Sequence, residues 1–202
     1  MRSSAVLSFL IVALFTLSLV GQLFGEQYED AQAAHNQGDY LTEVKILRSL
    51  AVQGNLQAQL KLGHMYSVGQ SLPQDYTEAA NWFKKAAEQG DAEGQYYIGI
   101  AYQLGKGTPQ DHYEAMTWIL KSAQQGYAIA QFVLGHMYSD GEGVPQDYVL
   151  AYMWFNLAAS RSTLGEFDKN QIASKMTPSE IAEAQMMAQE WKPKVEREKM
   201  GH

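Results

Sequence analysis

Hydrophobic and polar positions recur along the chain with a period of 36 residues, the spacing between Asp39, Asp75 and Asp111. The three segments that begin there align without a gap, and a fourth begins at Asp147 before it diverges. In each of the three, two runs of apolar residues at helical spacing are separated by a glycine, and a turn that ends in proline follows. The pattern therefore predicts two short helices in every repeat.

The residues at the fixed positions have physical reasons to be there. The aspartate that opens each repeat is a favoured helix N-cap, because its carboxylate accepts hydrogen bonds from the free N–H groups of the first turn. We expect the other fixed positions to serve packing or to end a helix. They are a tryptophan (Trp82, Trp118, Trp154), a helix-ending glycine (Gly54, Gly90, Gly126) and a glycine where two helices approach closely (Gly63, Gly99, Gly135).

One pair of short helices cannot bury its apolar face alone, so the repeats are expected to stack. The sequence predicts an all-α fold over residues 27–192, an α/α solenoid of about four helix–turn–helix repeats. An extra helix precedes the first repeat, and the helix-start signal Thr177-Pro178 predicts a capping helix over 178–191. The repeats span 39–74, 75–110, 111–146 and a degenerate 147–176, and residues 193–202 form a charged tail.

These motifs resemble the Sel1-like repeat, a relative of the tetratricopeptide repeat. The resemblance rests on the AQxxLGxxY helix, the GxGVPQD turn and the WFxKAAxQG helix, and it covers roughly Tyr28 to Trp191. The first repeat departs from the pattern, because Ile46 replaces the tryptophan and Gln70-Ser71 interrupts the Gly-x-Gly turn. The C-terminal stretch AYMWFNLAAS is similar to the ending of bacterial members. The resemblance implies a scaffold that binds a protein or peptide.

Composition narrows the classes of function. The chain of 202 residues is 46% hydrophobic and 18% charged, which is typical of a packed protein and not of a disordered one. Its net charge is −7 without a cluster of lysine and arginine, so we expect no nucleic-acid partner. It has no cysteine, which excludes disulfides and thiolate chemistry. Disulfide-rich relatives linked to β-lactam binding are therefore a weak guide to this chain.

Residues 1–25 resemble a secretory signal peptide. Arg2 is the only charged residue before Glu26, and an apolar stretch lies between them. The alternative is a retained anchor, because about twenty apolar residues can span a bilayer. In both cases we expect the repeat domain to be exported, either periplasmic or secreted, or anchored to the inner membrane. Contact with the membrane is expected only through this segment, if it is not cleaved.

The sequence lacks the motifs that mark a catalytic, metal or cofactor site, such as Gly-x-Ser-x-Gly, Ser-x-x-Lys and His-Glu-x-x-His. We therefore predict that the protein is not an enzyme and needs no cofactor or metal. Two alternatives stay open. One is a module that binds glycan or peptidoglycan fragments, for which Tyr97 and Tyr127 are the aromatic candidates. The other, with less support, is a cell-wall or β-lactam hydrolase.

A protein-binding groove is predicted on the helix of each repeat that carries the Gln-x-x-Leu-Gly motif, because this helix lines the concave face in tetratricopeptide-like folds. Two of its positions lie three residues apart on one helical face, and the residue type there varies between repeats. Such positions are either simply unconstrained by packing or available to a partner. They are occupied by Lys61, His64, Tyr97, Ile100, Val133 and His136.

Overall fold

The computed structural model describes residues 22–191 and Pro193. The chain divides into two compact units, the first ending at Gln74 and the second beginning at Asp75. Residues 1–21, which hold most of the predicted signal peptide, lie outside the described residues. The predicted tail beyond Pro193 lies outside them as well.

Helices joined by turns make up the described residues, and no strand occurs among them, which confirms the predicted all-α fold class. The first unit contains α1, which is described over residues 22–36, then α2 (Tyr40–Val52) and α3 (Leu56–Val68). The second unit contains α4 (Tyr76–Glu88), α5 (Ala92–Leu104), α6 (His112–Gln124), α7 (Ala128–Asp140), α8 (Tyr148–Arg161), α9 (Glu166–Ala173) and α10 (Pro178–Glu190). None of the helices within the described residues is both long and apolar enough to cross a membrane.

Two kinds of helix alternate from α3 to α8. We call α3, α5 and α7 the glutamine helices, because each carries a buried glutamine at the same position, and α4, α6 and α8 the tryptophan helices. The side-chain amide of Gln95 in α5 donates to the carbonyl oxygen of Ala87 in α4 at 3.4 Å. Gln131 in α7 donates to the carbonyl oxygen of Ala123 in α6 at 3.2 Å. Each buried amide thus joins a glutamine helix to the preceding tryptophan helix.

The repeat residues begin the helices as the sequence predicts. The four aspartates accept hydrogen bonds from backbone N–H groups in the first turn of the helix that follows, at Asp39, Asp75, Asp111 and Asp147. At the start of α10, the hydroxyl of Thr177 accepts from the N–H of Glu180, and the Glu180 carboxylate accepts from the N–H of Thr177. This reciprocal pair is a capping box, and it satisfies two otherwise free donors.

The tryptophan helices α4 and α6 are each followed by a glycine in the left-handed conformation. Gly90, with φ of +91°, follows the last residues of α4. The N–H of Gly90 donates to the carbonyl of Ala87, and the N–H of Asp91 donates to that of Ala86. This pair of bonds is a Schellman motif, in which the glycine position requires a positive φ that is costly for other residues. The motif turns the chain directly into α5.

Close helix packing in the second unit depends on glycines inside the glutamine helices. A β-carbon at Gly99 would lie 2.7 Å from Cγ1 of Ile119, and one at Gly135 would lie 2.6 Å from ring carbons of Phe155. Ile119 and Phe155 are both buried, in α6 and α8 respectively. The glycines therefore let each glutamine helix lie against the tryptophan helix that follows it.

The first unit keeps the turn geometry where its sequence departs from the repeat. Ser71 stands where later repeats carry glycine, and it adopts a φ of +62°. The equivalent Gly107 has a φ of +80°. The left-handed turn is thus retained at a residue type that disfavours it.

In the core of the first unit, the carboxylate of Glu43 is buried and lies 2.9 Å from Nδ1 of His35.

The fourth repeat diverges after α8. The predicted degenerate segment contains α9, an eight-residue helix that stands where the earlier repeats have a helix of 13 residues. Gly165, with φ of +88°, begins it, and a β-carbon there would lie 2.7 Å from the carbonyl oxygen of Phe155. Sequence periodicity did not identify α9, because the apolar pattern of the other glutamine helices is missing from it. α8 packs against both α9 and α10.

Candidate functional site

Charge is divided between the two kinds of helix in the second unit. The glutamine helices α5 and α7 contain no lysine or arginine, and they carry the carboxylates of Glu93 and Asp140. The tryptophan helices α4 and α6 carry both lysines and glutamates. Two of the lysines lie over tryptophan rings, with Lys85 Nζ 3.9 Å from the Trp82 centroid and Lys121 Nζ 4.1 Å from that of Trp118. The glutamine helices therefore present an aromatic and acidic surface.

The six predicted groove residues are all half-buried, but they do not lie in one unit. Lys61 and His64 belong to α3 in the first unit. The other four lie in the second unit, on α5 (Tyr97, Ile100) and on α7 (Val133, His136). Within the second unit, Ile100 and Val133 pack against the hydrophobic core. Tyr97 and His136 instead belong to two separate clusters of polar and aromatic side chains.

The first cluster is aromatic and surrounds Tyr97. Its ring stacks on that of Phe83 at 4.7 Å between centroids, with 19° between the planes. It also meets the ring of Tyr96 edge-on at 5.0 Å. Tyr96 in turn contacts Tyr127 at 5.5 Å. We call Phe83, Tyr96, Tyr97 and Tyr127 the tyrosine cluster. Its three tyrosines are half-buried, so they offer ring surface and phenol groups at the outside of the unit.

Tyr127 in the tyrosine cluster does not cap the following helix, whereas the residues at the same position in the first two repeats do. In the equivalent position, Asn55 caps α3 by accepting from the N–H of Ala58, and Asp91 caps α5 by accepting from the N–H of Gly94. Tyr127 precedes α7 and makes no side-chain cap bond. Loss of such a cap typically costs about 1 kcal/mol of helix stability. Tyr127 instead packs its ring against the edge of the hydrophobic core and against Tyr96.

The phenol groups of the cluster share an environment that disfavours ionisation. Burial, together with the charges of Glu93, the two other tyrosines and Asp91, raises the pKa of Tyr127 to about 12. Burial also raises the pKa of Tyr96 and of Tyr97. The phenols consequently stay neutral hydrogen-bonding groups far above physiological pH. Neutral phenols on an aromatic surface can both stack on a partner and hydrogen-bond to it.

The second cluster lies around His136, between α7, α8 and α9. The imidazole ring meets Phe132 edge-on at 4.7 Å and Phe155 at 5.0 Å. Its Nε2 lies 3.4 Å from a carboxylate oxygen of Asp168 in α9. A cavity of about 190 Å³ opens beside this pair. We call it the α9 cavity, and it is lined by His136, Asp140, Phe155, Asp168, Ile172 and Lys175, among others.

Much of both clusters lies outside the residues that the sequence predicts for the groove. Tyr96, Phe83 and Asp168 are not among these residues, and the sequence marks Tyr127 only as a candidate for glycan binding. Tyr127 carries a signal that the sequence does contain, since it replaces the capping residue of the two preceding repeats. No such signal exists for Asp168, because α9 has no aligned counterpart. In the described part of the chain, no three His, Asp or Glu side chains are arranged to hold a metal ion.

Fold and repeat geometry define a helix–turn–helix repeat protein. The Sel1 repeat model matches residues 56–91, 92–127 and 128–162, which together exceed half of the chain. The chain therefore belongs to the Sel1 repeat family. The matched units each begin with a glutamine helix and continue into a tryptophan helix. Proteins of this family are generally scaffolds for protein interaction and typically non-catalytic.

Solved structures agree with this assignment. A Sel1 repeat protein from Oxalobacter formigenes is similar over 67% of this chain and 56% of its own, with 29% identity and a TM-score of 0.62. A protective antigen of uropathogenic Escherichia coli strains, which displays the SLR fold, is similar over 82% of this chain and 44% of its own, with 26% identity and a TM-score of 0.58. The chain thus spans about half the length of these relatives. Comparison with curated proteins gave no match.

Proposed function

We propose that the protein is a non-catalytic scaffold that binds a protein or peptide through the glutamine-helix surface of its second unit. The observation that carries this proposal is the tyrosine cluster. Its three tyrosine rings are half-buried, and Tyr127 stands where the two preceding repeats carry a capping residue. Tyrosine is enriched at protein interfaces because a rigid ring buries much area at little cost in conformational entropy.

Two of the six groove residues predicted from the sequence fit into this proposal. Tyr97 belongs to the cluster, and Ile100 lies one turn further along the same helix. A partner that stacks on Tyr97 would therefore also reach Ile100. Lys61 and His64 of the first unit stay candidate contacts of the same kind, but the proposal does not depend on them.

Site-specific photo-crosslinking tests this proposal directly. A photoreactive phenylalanine analogue replaces Tyr97 in the full-length protein expressed in its own cells, and crosslinked products are identified by mass spectrometry. The matched control carries the analogue at Tyr113 of α6, whose side chain is 75% exposed. We expect one dominant protein adduct from position 97 that position 113 does not give. Equal adducts from both positions, or none, would contradict the proposed binding surface.

We further propose that the protein acts outside the cytoplasm, as its apolar N-terminal segment indicates. Support comes from the sequence of residues 1–25, with its single early arginine. Protease treatment of intact spheroplasts tests this placement. We expect the repeat domain to be digested while a cytoplasmic marker survives. A repeat domain that survives until the spheroplasts are lysed would contradict it.

A glycan-binding module is the second candidate, because the tyrosine rings could stack on sugar rings. The two functions predict different ligands for one surface. Soluble muropeptides should raise the melting temperature of a glycan-binding protein, and the shift should grow with the logarithm of ligand concentration above Kd. We expect no such shift for a protein scaffold. A shift that is lost in Tyr127→Ala would favour the glycan module.

A further inference from the structure

The turn between α6 and α7 lies directly against the turn between α4 and α5. The side-chain amide of Gln125 donates to the carbonyl oxygen of Gly90 at 2.8 Å. The hydroxyl of Ser122 at the end of α6 donates to the carbonyl oxygen of Ala92 at the start of α5. These bonds join the two turns, so Tyr127 is held beside the start of α5 before any ligand arrives.

The rings of Tyr127 and Tyr96 supply aromatic surface at this place. Their centroids are 5.5 Å apart, with 49° between the planes. One part of each ring packs against the hydrophobic core, and the half-buried side chains leave another part accessible. Elsewhere in the chain, ammonium groups lie over single tyrosine rings, for example Lys175 Nζ at 5.3 Å from the centroid of Tyr148. In the described part of the chain, no lysine or arginine lies over either ring of this pair.

Two carboxylates lie next to these rings at the start of α5. Asp91 caps the helix through Oδ1, which accepts from the N–H of Gly94 at 2.7 Å. Glu93 is in the first turn of the same helix. Burial is the main cause of the raised pKa of Tyr127, and the charges of Glu93 and Asp91 add to it. Both carboxylates are therefore close enough for their charge to act at the tyrosine ring.

Cationic side chains of the neighbouring helices do not neutralise this place. The charged groups that act on the phenol of Tyr127 are carboxylates and other phenols, with no ammonium group among them. In the last turns of α4 and α6, Lys85 and Lys121 lie over tryptophan rings instead. The glutamine helices α5 and α7 contain no lysine or arginine. Aromatic rings beside carboxylates favour a positively charged ligand.

We propose that Tyr96, Tyr127, Asp91 and Glu93 form a subsite that takes one arginine or lysine side chain of the partner polypeptide. We call it the Tyr127 subsite. The cationic end would lie over the tyrosine rings, where the quadrupole of each ring attracts it. An arginine can in addition stack its planar guanidinium and donate to a carboxylate at the same time. The net charge of −7 would attract a basic segment from a distance.

This inference rests on the proposed scaffold function and names the chemistry of the partner, a segment with an exposed basic side chain. An uncharged group that stacks on the rings is the competing occupant. Such a group would gain contact with Tyr96 and Tyr127 but nothing from the charges of the two carboxylates. Changing only the charge of the ligand therefore distinguishes the two occupants.

The experiment uses the full-length protein with carbon-13 in its tyrosine rings and four blocked pentapeptides that differ only in the central residue. The peptides are Gly-Ser-X-Ser-Gly, with arginine, lysine, citrulline or glutamate as X. Binding is followed by NMR of the ring resonances. The chain has 12 tyrosines, and Tyr127→Phe identifies the resonance of Tyr127 by its loss. Citrulline keeps the shape of arginine but has no charge, so it isolates the contribution of the cation.

We expect the arginine and lysine peptides to shift the Tyr127 resonance in a saturable way. The citrulline and glutamate peptides should bind at least about fivefold more weakly. Asp91→Asn and Glu93→Gln remove one charge each, and each should weaken the arginine peptide by about twofold or more. Asparagine can keep the cap, as Asn55 does in the preceding repeat. Asp111→Asn is the matched control, because Asp111 caps the start of α6 while the subsite lies beyond its end. It should leave the affinity unchanged.

Several results would overturn the inference. Equal binding of the citrulline and arginine peptides, a preference for the glutamate peptide, or no shift with any peptide contradicts a cation subsite even if a variant fails to fold. If a protein is captured at position 97 and binds the double variant Asp91→Asn, Glu93→Gln with full affinity, the scaffold function stands and the basic subsite falls. If no protein is captured at position 97 but the arginine peptide shifts Tyr127, the subsite stands and the proposed scaffold surface falls.

Discussion

The two regular repeats between Asp75 and Gln146 and the divergent segment from Asp147 to Trp191 begin with the same kind of capped tryptophan helix. In the regular repeats, a helix of 13 residues then packs its glycine against the next tryptophan helix. In the divergent segment, the eight-residue α9 takes that place, and a polar cavity lies between it and α7. The two places where the pattern is broken, the uncapped start of α7 and the segment around α9, thus coincide with the tyrosine cluster and the α9 cavity.

The largest loss of stability is expected from a substitution in the core that the two regions share. Phe155 is 1% exposed, lies against Gly135 and forms part of the wall of the α9 cavity. Replacing it with alanine removes a buried ring, so Phe155→Ala should lower the free energy of unfolding by about 3–5 kcal/mol. Urea denaturation measures the change. Phe167→Ala in α9, where the side chain is 70% exposed, is the matched control and should cost less than about 0.5 kcal/mol.

A smaller loss is expected from filling the space that a glycine leaves. Gly135→Ala would place a β-carbon 2.6 Å from ring carbons of Phe155, so the helices must move apart. We expect a loss of about 1–3 kcal/mol in the free energy of unfolding. In the background of Phe155→Leu, the same substitution should cost clearly less, since the flat ring is gone. Equal costs in both backgrounds would show that the close approach is unimportant.

Consecutive repeats differ in the residue that precedes the glutamine helix, where a capping side chain contributes about 1 kcal/mol to the free energy of unfolding. Asp91→Ala removes a carboxylate that accepts from the N–H of Gly94, so it should destabilise the protein by about that amount. At Tyr127, alanine and asparagine both remove the ring, but only asparagine can cap α7. Tyr127→Asn should therefore be more stable than Tyr127→Ala by about 1 kcal/mol in thermal or urea unfolding. Identical stabilities would mean that the start of α7 cannot use a cap.

Alkaline pH should reveal the environment of the tyrosine cluster. The pKa of Tyr127 is raised from 10.0 to about 12, so the folded state favours the neutral phenol. The stabilisation is complete below pH 10 and is lost as the pH rises from 10 towards 12, since only the unfolded chain ionises readily there. Tyr127→Phe cannot ionise, and its unfolding midpoint in urea should fall less over this range. The exposed Tyr113→Phe serves as control. An equal fall in both variants would contradict the assigned environment.

Much of the fold could be predicted from the sequence, because it repeats. The period of 36 residues locates the helix pairs, and the recurring aspartates locate their first turns. Less of the candidate site could be predicted from the sequence. Tyr97 and His136 were found as variable positions, but their surroundings come from Phe83 and Asp168, which lie on other helices. Contacts between helices depend on the angles at which the helices pack, and some of them involve α9, which has no counterpart in the repeat. The 36-residue period contains no information on either.

We infer that departures from the repeat serve binding. This is tested most directly by measuring the affinity of Tyr127→Asn for the partner that is crosslinked at position 97. The asparagine can supply the missing cap, so the variant is expected to remain folded while it loses the ring of the tyrosine cluster. We predict affinity at least about tenfold below that of the unmodified protein, with Tyr113→Ala unchanged. Unchanged affinity of a stably folded Tyr127→Asn would contradict the account.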